Sequence, residues 1–298
     1  MDNKKIKQIV ASIERAFIKE NEYELRKSVE EIHDEDGNFL GDFVSFLMVD
    51  KKTTPPIFYS VSTPYDLISK KDPQYALVWQ GGKLLLNTDY TDYAAMRTGA
   101  MDSIALKVAK INSLKDKKIL LFGTGRTARW SIKLMKVVFE DLEIIHYLNS
   151  TSIKSEEFEI FASGLGIKAM VGSKANLKYY DIIICHTNAE KPVLSIEEIK
   201  NIKNGAIITT FLGSDKTHGE VADGYYNKDA NIVLDWRKNL ELAKDIVRSG
   251  TPENNIVFLT DLLTNGISLN NAKKYTVFRF VGTPMQNLGV LQELSVDK

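Results

Sequence analysis

Short apolar runs recur along the middle of the chain, at residues 144–148, 169–171, 182–185, 206–211 and 232–234. Runs of this length suit strands of a parallel sheet covered on both faces. Between them lie helical stretches; residues 128–139 are the clearest, with Ala128, Ile132, Met135 and Phe139 three or four positions apart. Strand and helix alternate, which predicts a doubly wound α/β fold. The pattern differs upstream. An amphipathic helix carries Ile6, Ile9, Val10, Ile13 and Phe17 on one face, and residues 22–88 follow with alternating or β-branched segments broken by Asp36-Gly37-Asn38, Pro55-Pro56 and Gly81-Gly82. These predict hairpins of an antiparallel or mixed sheet. Asp89, Thr91 or Asp92 caps a helix that runs to about residue 111 and joins two domains. A strand at 276–280 and a helix at 284–291 are expected to return to the first domain. The predicted organisation is a smaller α+β domain, 1–112 plus 272–298, beside a doubly wound, Rossmann-type α/β domain at 113–271.

The richest local signal lies where the second domain begins. Lys118-Ile119-Leu120-Leu121-Phe122-Gly123-Thr124-Gly125-Arg126-Thr127-Ala128-Arg129 reads as a strand, a glycine turn and a helix start. Gly123 permits the tight turn, Gly125 lets backbone N–H groups approach a pyrophosphate, and Ala128 lets the helix lie close to the sheet. The helix N-terminus then offers its positive dipole end to an anion. A plain structural turn has the same glycines, and the βαβ setting favours the dinucleotide. Residues 123–128 are therefore the expected phosphate site.

Charge narrows the partners. Lysine plus arginine and aspartate plus glutamate each total 39, for a net charge of zero, which gives no global case for nucleic-acid or membrane binding. The single cysteine, Cys185, lies inside an apolar run and reads as a buried thiol in a reducing compartment. His33, His146, His186 and His218 have no metal-ligand spacing. The amphipathic N-terminus is no secretory signal, so a cytoplasmic protein without a metal is expected.

Two residues stand out chemically. Arg97 shares a helix face with Met101, Ile104 and Val108, and an arginine on an apolar stripe needs an anion. Either an internal salt bridge, with Asp89 for example, or a substrate carboxylate would serve its bidentate fork. Asp215 follows the run 206–211 through Leu212-Gly213-Ser214, at the carboxyl end of a parallel strand where such sheets bind ligands. It is either a solvated loop carboxylate or a proton-transfer group, in a loop that also holds Lys216, Thr217, His218 and Glu220. Thr187 and Asn188 hold the equivalent place one strand earlier, within reach of a nicotinamide ribose.

Together these residues resemble the ornithine cyclodeaminase and mu-crystallin family, best over residues 89–290. Asp89 followed by the Arg97-Thr98 pair, the turn Phe122 to Ala128 with Thr127 where glutamine is usual, and Thr276-Val277-Phe278-Arg279-Phe280-Val281-Gly282 carry the likeness. The resemblance implies a nicotinamide-dependent enzyme acting on imino, keto or amino acids and forming a homodimer through the small domain. It places the carboxylate-binding arginine at Arg97, an earlier one at Arg26, the catalytic aspartate at Asp215 and a cofactor contact at Gly213. It also puts Tyr59 where an active-site lysine is expected, and Gln286 or Asn287 where an acid is expected. Tyr59 can donate a proton or shape the pocket, but brings no positive charge. These departures favour a reductase or dehydrogenase over strict cyclodeamination. A cofactor-binding protein with altered chemistry and an ornithine cyclodeaminase-like ammonia lyase are the alternatives. After the run 144–148 come Asn149, Ser150 and Thr151 with no acid to hold a ribose 2′-hydroxyl, which leans the cofactor toward NADP(H) over NAD(H).

Overall fold

The computed structural model describes residues 1–33, 35–36, 39–64, 74–149, 152–189, 191–211 and 219–295. The chain divides into two compact units, residues 1–97 with 283–298 and residues 98–282.

The first unit is built on a meander. Strands β1 (Tyr23–His33), β2 (Phe39–Asp50), β3 (Ile57–Pro64), β4 (Tyr75–Gln80) and β5 (Lys83–Asp89) pair antiparallel in chain order. Alternation sets one face inward, so that Leu25, Phe46, Met48, Tyr59, Val61, Ala76 and Val78 are buried. Two helices belong to this unit, α1 (Asn3–Ile18), capped by the Asp2 carboxylate accepting from Lys5 N at 2.7 Å, and a C-terminal helix, Pro284–Ser295. They pack with backbones close together: a Cβ on Gly289 would fall 2.5 Å from Ile13 Cα, so only glycine fits that crossing. Helix α2 (Thr91–Val108) begins in this unit, with Asp89 Oδ1 accepting from Thr91 N at 2.8 Å, and its chain runs on into the second unit after Arg97.

The second unit is the predicted parallel sheet. Its strands are β6 (Ile119–Phe122), β7 (Ile144–Leu148), β8 (Lys168–Val171), β9 (Ile182–Cys185), β10 (Ala206–Thr210), β11 (Ala230–Leu234), β12 (Ile256–Phe258) and β13 (Tyr275–Arg279). They form an eight-stranded sheet in the order β12-β11-β13-β10-β9-β6-β7-β8, parallel throughout. Every residue of β6, β9, β10 and β13 is buried, as two covered faces require, whereas edge strand β8 is largely exposed. Helices α3 (Arg126–Val138), α4 (Ser152–Gly164), α5 (Lys244–Arg248) and α6 (Leu259–Thr264) complete it, and the C-terminal helix of the first unit is α7.

The unit boundaries differ from those expected of the sequence. Residues 276–280 do not return to the first unit: β13 inserts between β10 and β11, and only the segment from Thr283 onward goes back. A buried run with no sign of its partner strands cannot tell which sheet it joins. The second boundary falls inside α2, since Met101, Ile104 and Ala105 pack into the second unit while the first two turns stay with the meander. No helix among the described residues is long and apolar enough to cross a membrane.

Candidate functional site

The strand order reverses between β6 and β9, because β7 and β8 extend the sheet one way and β9 and β10 the other. Open α/β sheets bind ligands at the carboxyl ends of such a pair. Gly123 follows β6 at that point with φ +91°, and an added Cβ would lie 2.1 Å from the carbonyl oxygen of His186, the residue that follows β9. No side chain fits there. Gly125 is the N-cap of α3, makes no side-chain cap, and has nothing within 4 Å of where its Cβ would stand. The first turn of α3 contains no acid, and Arg126 is exposed beside it. An uncapped helix start with cations in its first turn favours an anion on both counts. Thr124 Oγ1 is buried with no hydrogen-bond partner, a group that a phosphate oxygen would satisfy. Ala128 is fully buried, as the close packing of α3 demands. The residues present therefore fit a dinucleotide.

Two buried carboxylates organise the rim of this crevice. Glu220 accepts from Thr187 N at 2.5 Å and Thr187 Oγ1 at 3.0 Å, and from Thr210 Oγ1 at 3.2 Å and Phe211 N at 2.8 Å, tying the ends of β9 and β10 together. Thr187 is thus held from behind, and Asn188 beyond it is exposed. Asp102, on α2, accepts at Oδ1 from Thr209 Oγ1 at 2.6 Å and at Oδ2 from Ser131 Oγ at 2.5 Å, and His186 Nε2 shares a hydrogen bond with Oδ2 at 2.7 Å. The His186 ring also lies 4.5 Å from that of Phe211. Sequence reading missed this pair, since its members stand far apart in the chain. The available signal was an aspartate among the apolar residues Ala100, Met101, Ile104 and Ala105. Cys185 is buried, and burial pushes its thiol well above the ordinary range, which makes it inert.

In the first unit, Arg97 donates from Nη1 to Gln286 Oε1 at 2.5 Å, and its guanidinium carbon stands 5.7 Å from the centre of the Phe46 ring. The ammonium of Lys27 lies 5.8 Å from the centre of the same ring. Tyr90 is buried in this unit, where desolvation raises its phenol and the Arg97 charge lowers it in part. Its hydroxyl has no hydrogen-bond partner, nor has Gln286 Nε2.

The structure does not bring Arg26 to this cluster. Strand alternation turns its side chain to the outer face, 70% exposed, where it pairs with Glu24, while Lys27 next to it shares the inward face of Leu25. Tyr59 is buried, but its surroundings are Asp50, Tyr23 and Gln292; burial raises its phenol most, with Asp50 and Tyr23 adding to the effect. Gln292 stands six positions beyond Gln286 on α7, about 9 Å along the axis. Asn149 follows β7 and is half-buried. Asp215, Gly213, Ser150 and Thr151 lie outside the described residues.

Comparison with known proteins agrees with this architecture. The sequence profile of the ornithine cyclodeaminase/mu-crystallin family matches residues 78–295. The structure of Thermococcus litoralis Δ1-pyrroline-2-carboxylate reductase, in complex with NADH and L-proline, superposes with a TM-score of 0.80 at 21% identity, covering 98% of this chain and 92% of that one. An archaeal alanine dehydrogenase dimer with bound NAD gives 0.80 at 17% identity, covering 98% and 91%. Probable ornithine cyclodeaminase from Bordetella pertussis Tohama I gives 0.78 at 15% identity, covering 100% and 97%. The fold is shared with all three. Glutamyl-tRNA reductase of Methanocaldococcus jannaschii is 31% identical over 149 residues, which are 49% of this chain and 37% of that protein, so the chain spans little more than a third of this curated relative.

Proposed function

The chain belongs to the ornithine cyclodeaminase/mu-crystallin family, and on that premise we propose that it is a nicotinamide-dependent oxidoreductase working at the α-carbon of an imino, keto or amino acid. The glycine turn carries this reading: at the strand-order reversal, Gly123 admits no side chain and Gly125 leaves the start of α3 open. Backbone N–H groups of residues 123–126 hold the diphosphate, and the Thr124 hydroxyl gains a partner in it. Thr187 and Asn188 lie toward the nicotinamide ribose. Asn149, Ser150 and Thr151, in place of an acid, lean the choice toward NADP(H).

The cofactor, when bound, supplies or accepts a hydride. Arg97 holds the substrate carboxylate by paired N–H donors, and the Phe46 face excludes water from that contact. In the reducing direction a C–H bond forms at the α-carbon, the C=N π-pair moves to nitrogen, and nitrogen carries the added proton. Asp215 stabilises the protonated imine or exchanges its proton. The Tyr59 phenol, buried and raised, contributes shape rather than a proton. The neighbouring proteins described as an alanine dehydrogenase dimer and a pyrroline-2-carboxylate reductase support an enzyme of this class, and the former supports a homodimer as the working form. The test is oxidation of NADPH or NADH, followed by absorbance, with a panel of cyclic ketimines and of keto acids in ammonium buffer. Turnover of at least one is expected. Tight cofactor binding without any turnover would favour instead a cofactor-binding protein with altered chemistry.

A further inference from the structure

Glu220 is wholly buried in the second unit, and no step of the hydride transfer uses its carboxylate. Its partners explain why an acid stands there. Oε1 accepts from Thr187 N at 2.5 Å and Oε2 accepts from Phe211 N at 2.8 Å, and since a backbone N–H can only donate, both atoms must be acceptors. A glutamine supplies one oxygen and cannot serve both. The backbone of Glu220 is itself fixed, because its carbonyl accepts from Val193 N at 2.7 Å and the next residue, Val221, pairs with Leu194 in a parallel bridge. The carboxylate is a rigid post between the ends of β9 and β10.

Thr187 is the residue this post orients. Its hydroxyl donates to Glu220 Oε1 at 3.0 Å, and its methyl carbon, Cγ2, lies 3.4 Å from where a Cβ on Gly123 would stand. One rotamer thus turns the polar branch to the carboxylate and the apolar branch to the glycine turn. A β-branched side chain is stiff at χ1, and here the carboxylate selects the well. Resting on the oxidoreductase reading above, we propose that Glu220 is a positioning residue for the nicotinamide half of the coenzyme: by fixing the Thr187 rotamer and the end of β9, it sets where the nicotinamide ribose lies relative to the diphosphate. Glu220 does not touch the coenzyme, since it is buried behind Thr187, which is only half-buried. Its effect should therefore fall on one half of the ligand.

The experiment titrates NADH and NADPH, and as their adenine halves ADP and 2′-phospho-ADP, into the full chain and into Glu220→Gln, Thr187→Val and the double variant, read by calorimetry. In the unaltered protein one coenzyme should bind about tenfold more tightly than its adenine half. That advantage shrinks toward one in Glu220→Gln while the affinity for the adenine half is unchanged, whereas a purely structural role would weaken both alike. Thr187→Val also shrinks it, and the double variant loses no more than the worse single one, because the two residues act on one contact. Equal weakening of coenzyme and adenine half, an unchanged advantage in Glu220→Gln, additive losses in the double variant, or a parent protein that gains nothing from the nicotinamide half overturns the proposal and leaves dinucleotide binding standing. If neither coenzyme nor adenine half binds the unaltered protein, the oxidoreductase reading itself fails, and the proposal with it. Should melting curves show that Glu220→Gln does not fold, Thr187→Val decides alone, and an unchanged advantage there overturns the assignment.

Discussion

Two arginines, one in each unit, differ in what surrounds their charge. Arg279, at the end of β13, is wholly buried; its Nε donates to Asp245 Oδ2 at 2.7 Å, and Nη1 donates to the carbonyls of Phe211 at 2.9 Å and Phe280 at 2.7 Å. Tyr226 donates to the same Asp245 oxygen at 2.8 Å. That network meets the requirement of a buried charge from inside the unit. Arg97 donates to the neutral Gln286 amide and stands over the face of Phe46, with Gln286 Nε2 and the Tyr90 hydroxyl open nearby. The first arrangement holds β13 and α5 together, whereas the second is where we propose that a substrate carboxylate binds. Arg279 even occupies the motif by which the chain resembles its family, so its place in a motif says less about its role than its partners do.

The comparison is broken most severely at Arg279. Arg279→Met leaves Asp245 buried without its ion-pair partner, and should destabilise the protein by about 3–5 kcal/mol, read from urea unfolding; a loss below about 1 kcal/mol would show that the network is not structural. Next comes the turn. Gly123→Ala places a methyl group 2.1 Å from the His186 carbonyl and demands φ +91° of an alanine, so the turn must open. Strain of about 1–3 kcal/mol is expected, together with loss of the melting shift that cofactor gives the parent protein.

How far the sequence revealed this molecule follows from the same contrast. The glycine turn and the buried runs were legible because local spacing sets them: a strand, a tight turn and a helix start occupy consecutive residues. Helix α2 and the meander were legible for the same reason. The sheet membership of β13 was not, because parallel pairing joins β13 to β10 and β11 across long stretches of chain. Arg97 was legible as a charge on an apolar stripe. That Lys27 rather than Arg26 shares the inward face was not, since a one-residue change of face is decided by the register that sets Lys27 opposite Phe46. The Asp102–His186 pair likewise depends on a helix and a strand end meeting in space.

A sharper probe of the first unit is Arg97→Ala. It should lower kcat/KM for carboxylate substrates by about 1.5–3 kcal/mol, the worth of a charge-assisted bond, while unfolding free energy changes by less than half that. Equal effects on activity and stability would mark Arg97 as a packing residue like Arg279.

The smallest effect on turnover is expected at Tyr59. A phenol raised by burial is a weak proton donor near neutrality, so Tyr59→Phe should leave kcat within about threefold. Its signature is alkaline stability. Burial raises Tyr59, Tyr90, Tyr225 and Tyr226, and pushes Tyr275 up to about 12. Unfolded tyrosine ionises near pH 10 while these folded phenols keep their protons, so the stability they contribute is full below about pH 10 and is lost as pH rises above it. Tyr59→Phe should flatten that decline, measured as melting temperature between pH 9 and 11; an unchanged slope would show that Tyr59 ionises as freely folded as unfolded.

The central claim is that the turn after β6 cradles the diphosphate of a nicotinamide dinucleotide. Calorimetric titration of the protein with NADPH and with NADH addresses it most directly. The account predicts saturable heat with at least one of them and a melting temperature that rises with its concentration, both absent in Gly123→Ala. Saturating amounts of both coenzymes giving neither heat nor a melting shift with the unaltered protein would contradict it.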